Sequence, residues 1–228
     1  MVMPNVAFDH VDNRIALTVR DQVVKAAKRP ALATVPRRYP GGTIACLGTG
    51  PSLTQADVDY VRGRATAVIA VNDAVKLAPW AEVLYAADTK WWYWHRTDQA
   101  VLGFQGLKIA LTPSAQRFPG VQVLRNTGDA GLDLRPDCLR AGRNSGYQAI
   151  NLAVHLGAAR IVLLGYDMQG GHFFGHHPDQ SGPPFALCLK RFQTLVKPLA
   201  AIGVEIVNCS RRTALTCFPC RPLEEALP

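Results

Sequence analysis

Thr43-Ile-Ala-Cys-Leu-Gly-Thr-Gly-Pro-Ser-Leu53 decides how this chain folds. An apolar run ends abruptly in a glycine-proline turn, and Ser52 or Thr54 is placed to cap a helix beyond it. A strand that stops at small residues and hands over to a helix opens a βα unit. Outward from this stretch, the same alternation of short apolar runs and helix-like segments continues to the C-terminus. Strands are predicted at Thr43–Leu47, Ala67–Val71, Glu82–Ala86, Leu107–Ala110, Val121–Leu124, Arg160–Leu164 and Val204–Asn208. The clearest helix is Ser145–Leu156, where Ile150, Ala153, Val154 and Leu156 form a stripe and Gly157 supplies the stop. A second helix is predicted over about Phe185–Ala201, distorted by Pro198. The expectation is an α/β protein. It would be a single Rossmann-like domain, its mostly parallel twisted sheet of about seven strands covered by helices on both faces.

Composition agrees with that class. The 228 residues suffice for one full domain, and 48% hydrophobic with 18% charged side chains exclude a disordered, collagen-like or coiled-coil chain. Residues 1–40 hold seven basic side chains against three acidic ones and end at Pro40-Gly-Gly. They read as a basic N-terminal arm, with the domain over 41–228; a solvated charge run needs no ligand to explain it. Apolar runs such as Thr66–Val71 and Ile161–Leu164 fall short of the roughly 20 residues that cross a bilayer. No apolar secretion signal surrounds Asp9 and Asp12, so a cytoplasmic protein is expected. The six cysteines are scattered and expected reduced, and Cys217-Phe-Pro-Cys220 lacks a second pair at zinc spacing, so it reads as structural. The net charge of +8 suits an anionic partner.

Chemistry collects where strands end. Gly48-Thr-Gly-Pro-Ser52 has the small residues that let backbone N–H groups approach a phosphate at a helix N-terminus, although a tight capped turn needs the same residues. Asn72-Asp73 follows the second strand and Asp88 the third, as a polar pocket wall or as turn residues. Trp91-Trp-Tyr-Trp94 offers rings for a planar ligand or for the core. Asn144-Ser-Gly146 starts the best helix, as an anion site or as a cap. Finally Asp167-Met-Gln169 leads into Gly170-Gly-His-Phe-Phe-Gly-His-His-Pro-Asp179. A glycine-rich loop carrying three histidines suits proton transfer. Metal ligation by His172, His176, His177 and Asp179 matches no established spacing, so no metal or other cofactor is expected.

In their order, Gly48-Thr-Gly-Pro-Ser-Leu53, Asn72, Asn144-Ser-Gly146, Gly165-Tyr-Asp167 and His172-Phe-Phe-Gly-His176 resemble the bacterial family 42 sialyltransferases over about residues 43–215. The resemblance implies a metal-independent glycosyltransferase. Its donor, a nucleotide sugar, would contact Gly48, Thr49, Gly50, Pro51, Ser52, Asn72, Ser145 and Gly146, with Asp73, Asp88, Asn144, Asp167 and Gln169 around it. His176 would be the catalytic base, with His172 beside it. Thr49 stands where those enzymes have Asn, and Gln169 where they place a Tyr, so the resemblance carries the reaction further than the donor sugar. The chain also resembles short bacteriophage and prophage proteins. That makes a hydroxymethylated pyrimidine in DNA one acceptor, and a glycan or small molecule another. Association into a homo-oligomer is left open. A broader similar group includes an archaeal hydroxymethylpterin diphosphokinase. That alternative would need Mg²⁺ on carboxylates such as Asp73, Asp88 or Asp167. A non-enzymatic nucleotide- or DNA-binding phage accessory protein is the third reading.

Overall fold

The computed structural model describes residues 32–175 and 184–227. All seven predicted strands form: β1 (Thr43–Leu47), β2 (Ala67–Val71), β3 (Val83–Tyr85), β4 (Leu107–Ala110), β5 (Val121–Val123), then β8 (Arg160–Leu164) and β9 (Glu205–Asn208). The short β6 (Arg125–Asn126) and β7 (Cys138–Leu139) pair with each other apart from the main sheet. The main sheet runs β5-β4-β3-β2-β1-β8-β9, parallel throughout. It is the sheet of a Rossmann-like α/β domain.

Its strands read as continuous apolar runs because both faces are buried. Along β1, Ile44 and Cys46 enter one core while Ala45 and Leu47 enter the other, the period of two expected of a strand. The helices are α1 (Gln55–Val61), α2 (Thr89–Trp94), α3 (Gln99–Leu102), α4 (Ser145–Leu156), α5 (Phe185–Gln193), α6 (Val196–Ala201) and α7 (Leu223–Ala226). Side chains of α4 and α5 pack with the Ile44 core, and those of α1, α2 and α7 with the Ala45 core.

The single helix predicted over 185–201 is two. Pro198 has no N–H to donate to the Thr194 carbonyl, and the break leaves it in the first turn of α6, where that loss is tolerated. In α4 the predicted stripe understates the burial: every residue from Gly146 to Leu156 is buried. Its polar residues are satisfied there. Tyr85 Oη donates to Gln148 Oε1 at 2.7 Å, Asn151 exchanges bonds with the Asp133 backbone at 2.8 and 3.0 Å, and His155 Nε2 lies 2.7 Å from the Cys138 carbonyl. These bonds fasten the segment between β6 and β7 onto α4.

The compact unit begins at Leu32, not at residue 41. Val35 is buried, and the N–H groups of Ala33, Val35 and Tyr39 donate to the carbonyls of Val123, Pro136 and Leu156. The last residues of the expected arm are therefore part of the domain, because their backbone completes its edge. Among the described residues, no helix is long and apolar enough to cross a membrane.

Candidate functional site

In the strand order, β1 lies between β2 and β8, so successive crossovers leave β1 in opposite directions. That is the topological switch point, where ligands of open parallel sheets bind beyond the carboxyl ends of the strands. The loops after β1, β2 and β8 carry most of the predicted site residues.

The glycine loop after β1 is engaged with the protein itself. Gly48 N–H donates to the Leu164 carbonyl at 2.7 Å and Gly50 N–H to the Gly165 carbonyl at 2.8 Å. Ser52 donates to Asp167 twice, from its N–H at 2.8 Å and its Oγ at 2.6 Å. A Cβ on Gly48 or Gly50 would lie 2.5 or 2.6 Å from the Gly165 oxygen. The phosphate-cradle expectation is thereby corrected for Gly48, Gly50 and Ser52. Their smallness serves a close approach, as the sequence suggested, but what approaches is the turn after β8. Pro51 carries no N–H at all, and the N-terminus of α1 is closed by the reciprocal cap of Thr54 and Asp57. Arg211 adds a fork onto Asp57 at 2.9 and 2.5 Å.

Thr49 faces a different task. Its carbonyl accepts from Phe173 N–H at 3.0 Å, and its Oγ1 lies 2.9 Å from His172 Nδ1. The His172 ring stacks on Phe174 with centroids 4.9 Å apart, and the Lys76 ammonium lies 6.0 Å from the Phe174 centroid. Loops from β1, β2 and β8 thus meet at the switch point, with a histidine held by a hydroxyl. His176, His177 and Asp179 lie outside the described residues.

Two expected ligand contacts are internal anchors. Asp73 is buried. It is bound by Lys76 Nζ at 2.7 Å, by Trp91 Nε1 at 2.9 Å and by His95 Nε2 at 3.4 Å. Burial pushes its carboxyl up, but the bonds from His95, Lys76 and Trp91 together outweigh that and hold it well below the usual carboxylate range. Asp167 is buried too, and there burial prevails over the Ser52 bonds and raises the carboxyl. Neither is presented to a ligand. Trp91 and Trp92 are in the core, edge to face at 5.1 Å, and Tyr93 is half exposed. Asn72 adopts a left-handed φ of 52° that turns the chain sharply as β2 ends. Gln169 is exposed on the surface.

A cleft of about 460 Å³ opens beyond the ends of β3 and β4, against the start of α4. Asp88, Thr112, Asn126, Arg143, Asn144 and Ser145 line it. The structure therefore brings Asp88, Asn144 and Ser145 together, as the sequence reading placed them at one site. Asn144 Oδ1 caps α4 by accepting from Tyr147 N–H at 3.1 Å. Gly146 is required by the Tyr166 ring, which a Cβ would approach to 2.7 Å, and its carbonyl accepts from Tyr166 Oη at 3.1 Å. Thr112, Asn126 and Arg143 were not singled out from the sequence. The available signal was a polar residue just beyond a strand, as Thr112 stands two residues after β4. A larger groove of about 670 Å³, walled by Val154, Ala159 and Val204, lies where β8 and β9 begin. That is the opposite edge from the one at which such sheets bind ligands.

Among the described residues no three His, Cys, Asp or Glu side chains are grouped to hold a metal ion. The carboxylates a Mg²⁺-dependent phosphotransfer would call on do not converge, because Asp73 is tied to α2 and Asp167 to Ser52. Cys217 and Cys220 are free thiols. The arrangement defines a doubly wound α/β protein with a polar cleft at the carboxyl edge of its sheet. No family model, curated protein or solved structure matches this chain.

Proposed function

We propose that the protein is a glycosyltransferase that moves a sugar from a nucleotide-sugar donor to an acceptor hydroxyl. The observation that carries this reading is the polar cleft lined by Asp88, Asn144, Ser145 and Arg143 at the carboxyl edge of the sheet, the same edge that carries the Thr49–His172 pair. The first-turn N–H groups of the twelve-residue α4 and the neighbouring Arg143 favour negative charge at one end of the cleft. They would stabilise the phosphate charge that develops as the glycosidic bond breaks.

A base must take the acceptor proton. His172, whose Nδ1 lies 2.9 Å from Thr49 Oγ1, is one histidine for that task. His176, to which the family resemblance assigns the same task, is the second histidine of the run, and the two are separable by substitution. The acceptor that the net charge of +8 favours is a polyanion, with a hydroxymethylated pyrimidine of DNA as the leading case.

A thermal-shift screen against UDP, CMP, GDP, ADP and ATP and their sugar conjugates, with and without Mg²⁺, tests the donor. A ligand at about 100 times its Kd adds about 2.7 kcal/mol. Stabilisation by one nucleotide family without Mg²⁺ supports the transferase, and a response to ATP with Mg²⁺ alone replaces it with phosphotransfer.

A further inference from the structure

The cleft beside α4 is polarised, and Asp88 makes the polarity unusual. Asp88 occupies the N-cap position of α2, where an aspartate ordinarily accepts from the first-turn N–H groups, yet its side chain makes no cap bond. Nor does it form an ion pair or another side-chain hydrogen bond among the described residues. It is exposed and lines the cleft. Arg143, just before the start of α4, lines the same cleft and brings positive charge to it. Arg143 and Arg191 share Asp129, at 3.2 and 3.7 Å, leaving two cations on one anion next to the start of α4. Gln148 also lines the cleft, with its amide oriented by two bonds. Its Oε1 accepts from Tyr85 Oη at 2.7 Å and its Nε2 donates to the Ala141 carbonyl at 2.5 Å.

The geometry points to a donor whose transferred sugar is uncharged or carries an amine, and which is selected by Asp88 against sugars that carry a carboxylate. This rests on the nucleotide-sugar reading above and specifies the substrate class of the same cleft. A phosphate-bearing ligand is oriented by its own charge, with phosphate toward Arg143 and α4 and the sugar toward Asp88. Sugar hydroxyls donate charge-assisted bonds to the two Asp88 oxygens, and an amine would pair with them. A sugar carboxylate in the same place meets a like charge, which costs most where protein walls displace water. A sialic acid or uronic acid donor is excluded on that ground, whatever transferase chemistry the loops resemble.

The test is equilibrium titration of the full chain and of Asp88→Asn with pairs that differ in sugar charge. The pairs are UDP-glucose against UDP-glucuronic acid, GDP-mannose against GDP-mannuronic acid, and UDP-galactose against UDP-galacturonic acid. The wild type is expected to bind the partner without the sugar carboxylate more tightly. Asp88→Asn is expected to narrow that ratio by about tenfold or more, mainly by improving the carboxylated ligand. Asn keeps the size of the side chain, and an unchanged melting temperature without ligand confirms that folding is intact. Equal affinity within each pair in the wild type, or a ratio that Asp88→Asn leaves unchanged while nucleotides still bind, overturns the role of Asp88. Failure of all six ligands to bind overturns the nucleotide-sugar reading itself, and this inference with it.

Discussion

Asp73 and Asp167 each follow a parallel strand and each is buried, yet their surroundings push them in opposite directions. Bonds from His95, Lys76 and Trp91 depress the Asp73 carboxyl despite its burial, so its contribution to stability is complete above the ordinary carboxylate value of 3.8 and fades as pH falls below it. Asp73→Asn should cost about 2 kcal/mol at pH 7 in urea denaturation, and the deficit should shrink in acid. Asp167 has the reverse sign. Its raised carboxyl makes the fold less stable as pH climbs from 3.8 through the raised value. Asp167→Asn should therefore be at least as stable as the wild type at pH 7, with that advantage vanishing near pH 3. The switch-point residues make a catalytic prediction at the same scale. Replacing the base with alanine, at His172 or at His176, should lower kcat by about 100-fold or more without weakening donor binding. If His172 is that base, Thr49→Val should lower kcat and shift its pH profile, and Thr49→Ser should restore both, because the hydroxyl bonds Nδ1 of the ring.

α4 combines two jobs that a helix usually divides between its faces. Its apolar residues fill the core, and its buried polar residues grip the segment from β6 to β7, which contributes Asn126 to the cleft. Asn151→Leu would strand both backbone groups of Asp133, at an expected cost of about 2 to 4 kcal/mol. Amide exchange in residues 125–142 should accelerate more than exchange in β1 or β2, and uniform acceleration would show that the contact acts on the whole fold. The β1 loop makes a steric prediction. Gly50→Ala places a methyl 2.6 Å from the Gly165 oxygen, which must displace the turn after β8 and should cost about 1 to 3 kcal/mol.

For the whole molecule, the net charge of +8 predicts how the acceptor is met. If the acceptor is DNA, log Kobs should fall linearly with log salt, with a slope of about −0.9 for each phosphate neutralised. A flat response would assign the acceptor to a neutral glycan or small molecule. The strands, their positions within a residue at each end, and the α/β class were legible in the sequence, because each depends on the local period of apolar residues and on turn residues next to it. The cleft was legible in part. Asp88, Asn144 and Ser145 stand at element ends where ligands bind, whereas Thr112, Asn126 and Arg143 join them only through the fold. By itself, then, the sequence determined which segments are strands, that they run parallel, and that small residues crowd the end of β1. Only the tertiary structure decided what those small residues face. A glycine needed for close approach looks the same in sequence whether a phosphate or a neighbouring backbone arrives, and here the turn after β8 arrives first. The charge of Asp73, Asp88 and Asp167 is likewise the same in sequence. The separate fates of Asp73 as anchor and Asp167 as latch follow from partners 3 to 115 residues away, which no local reading can supply.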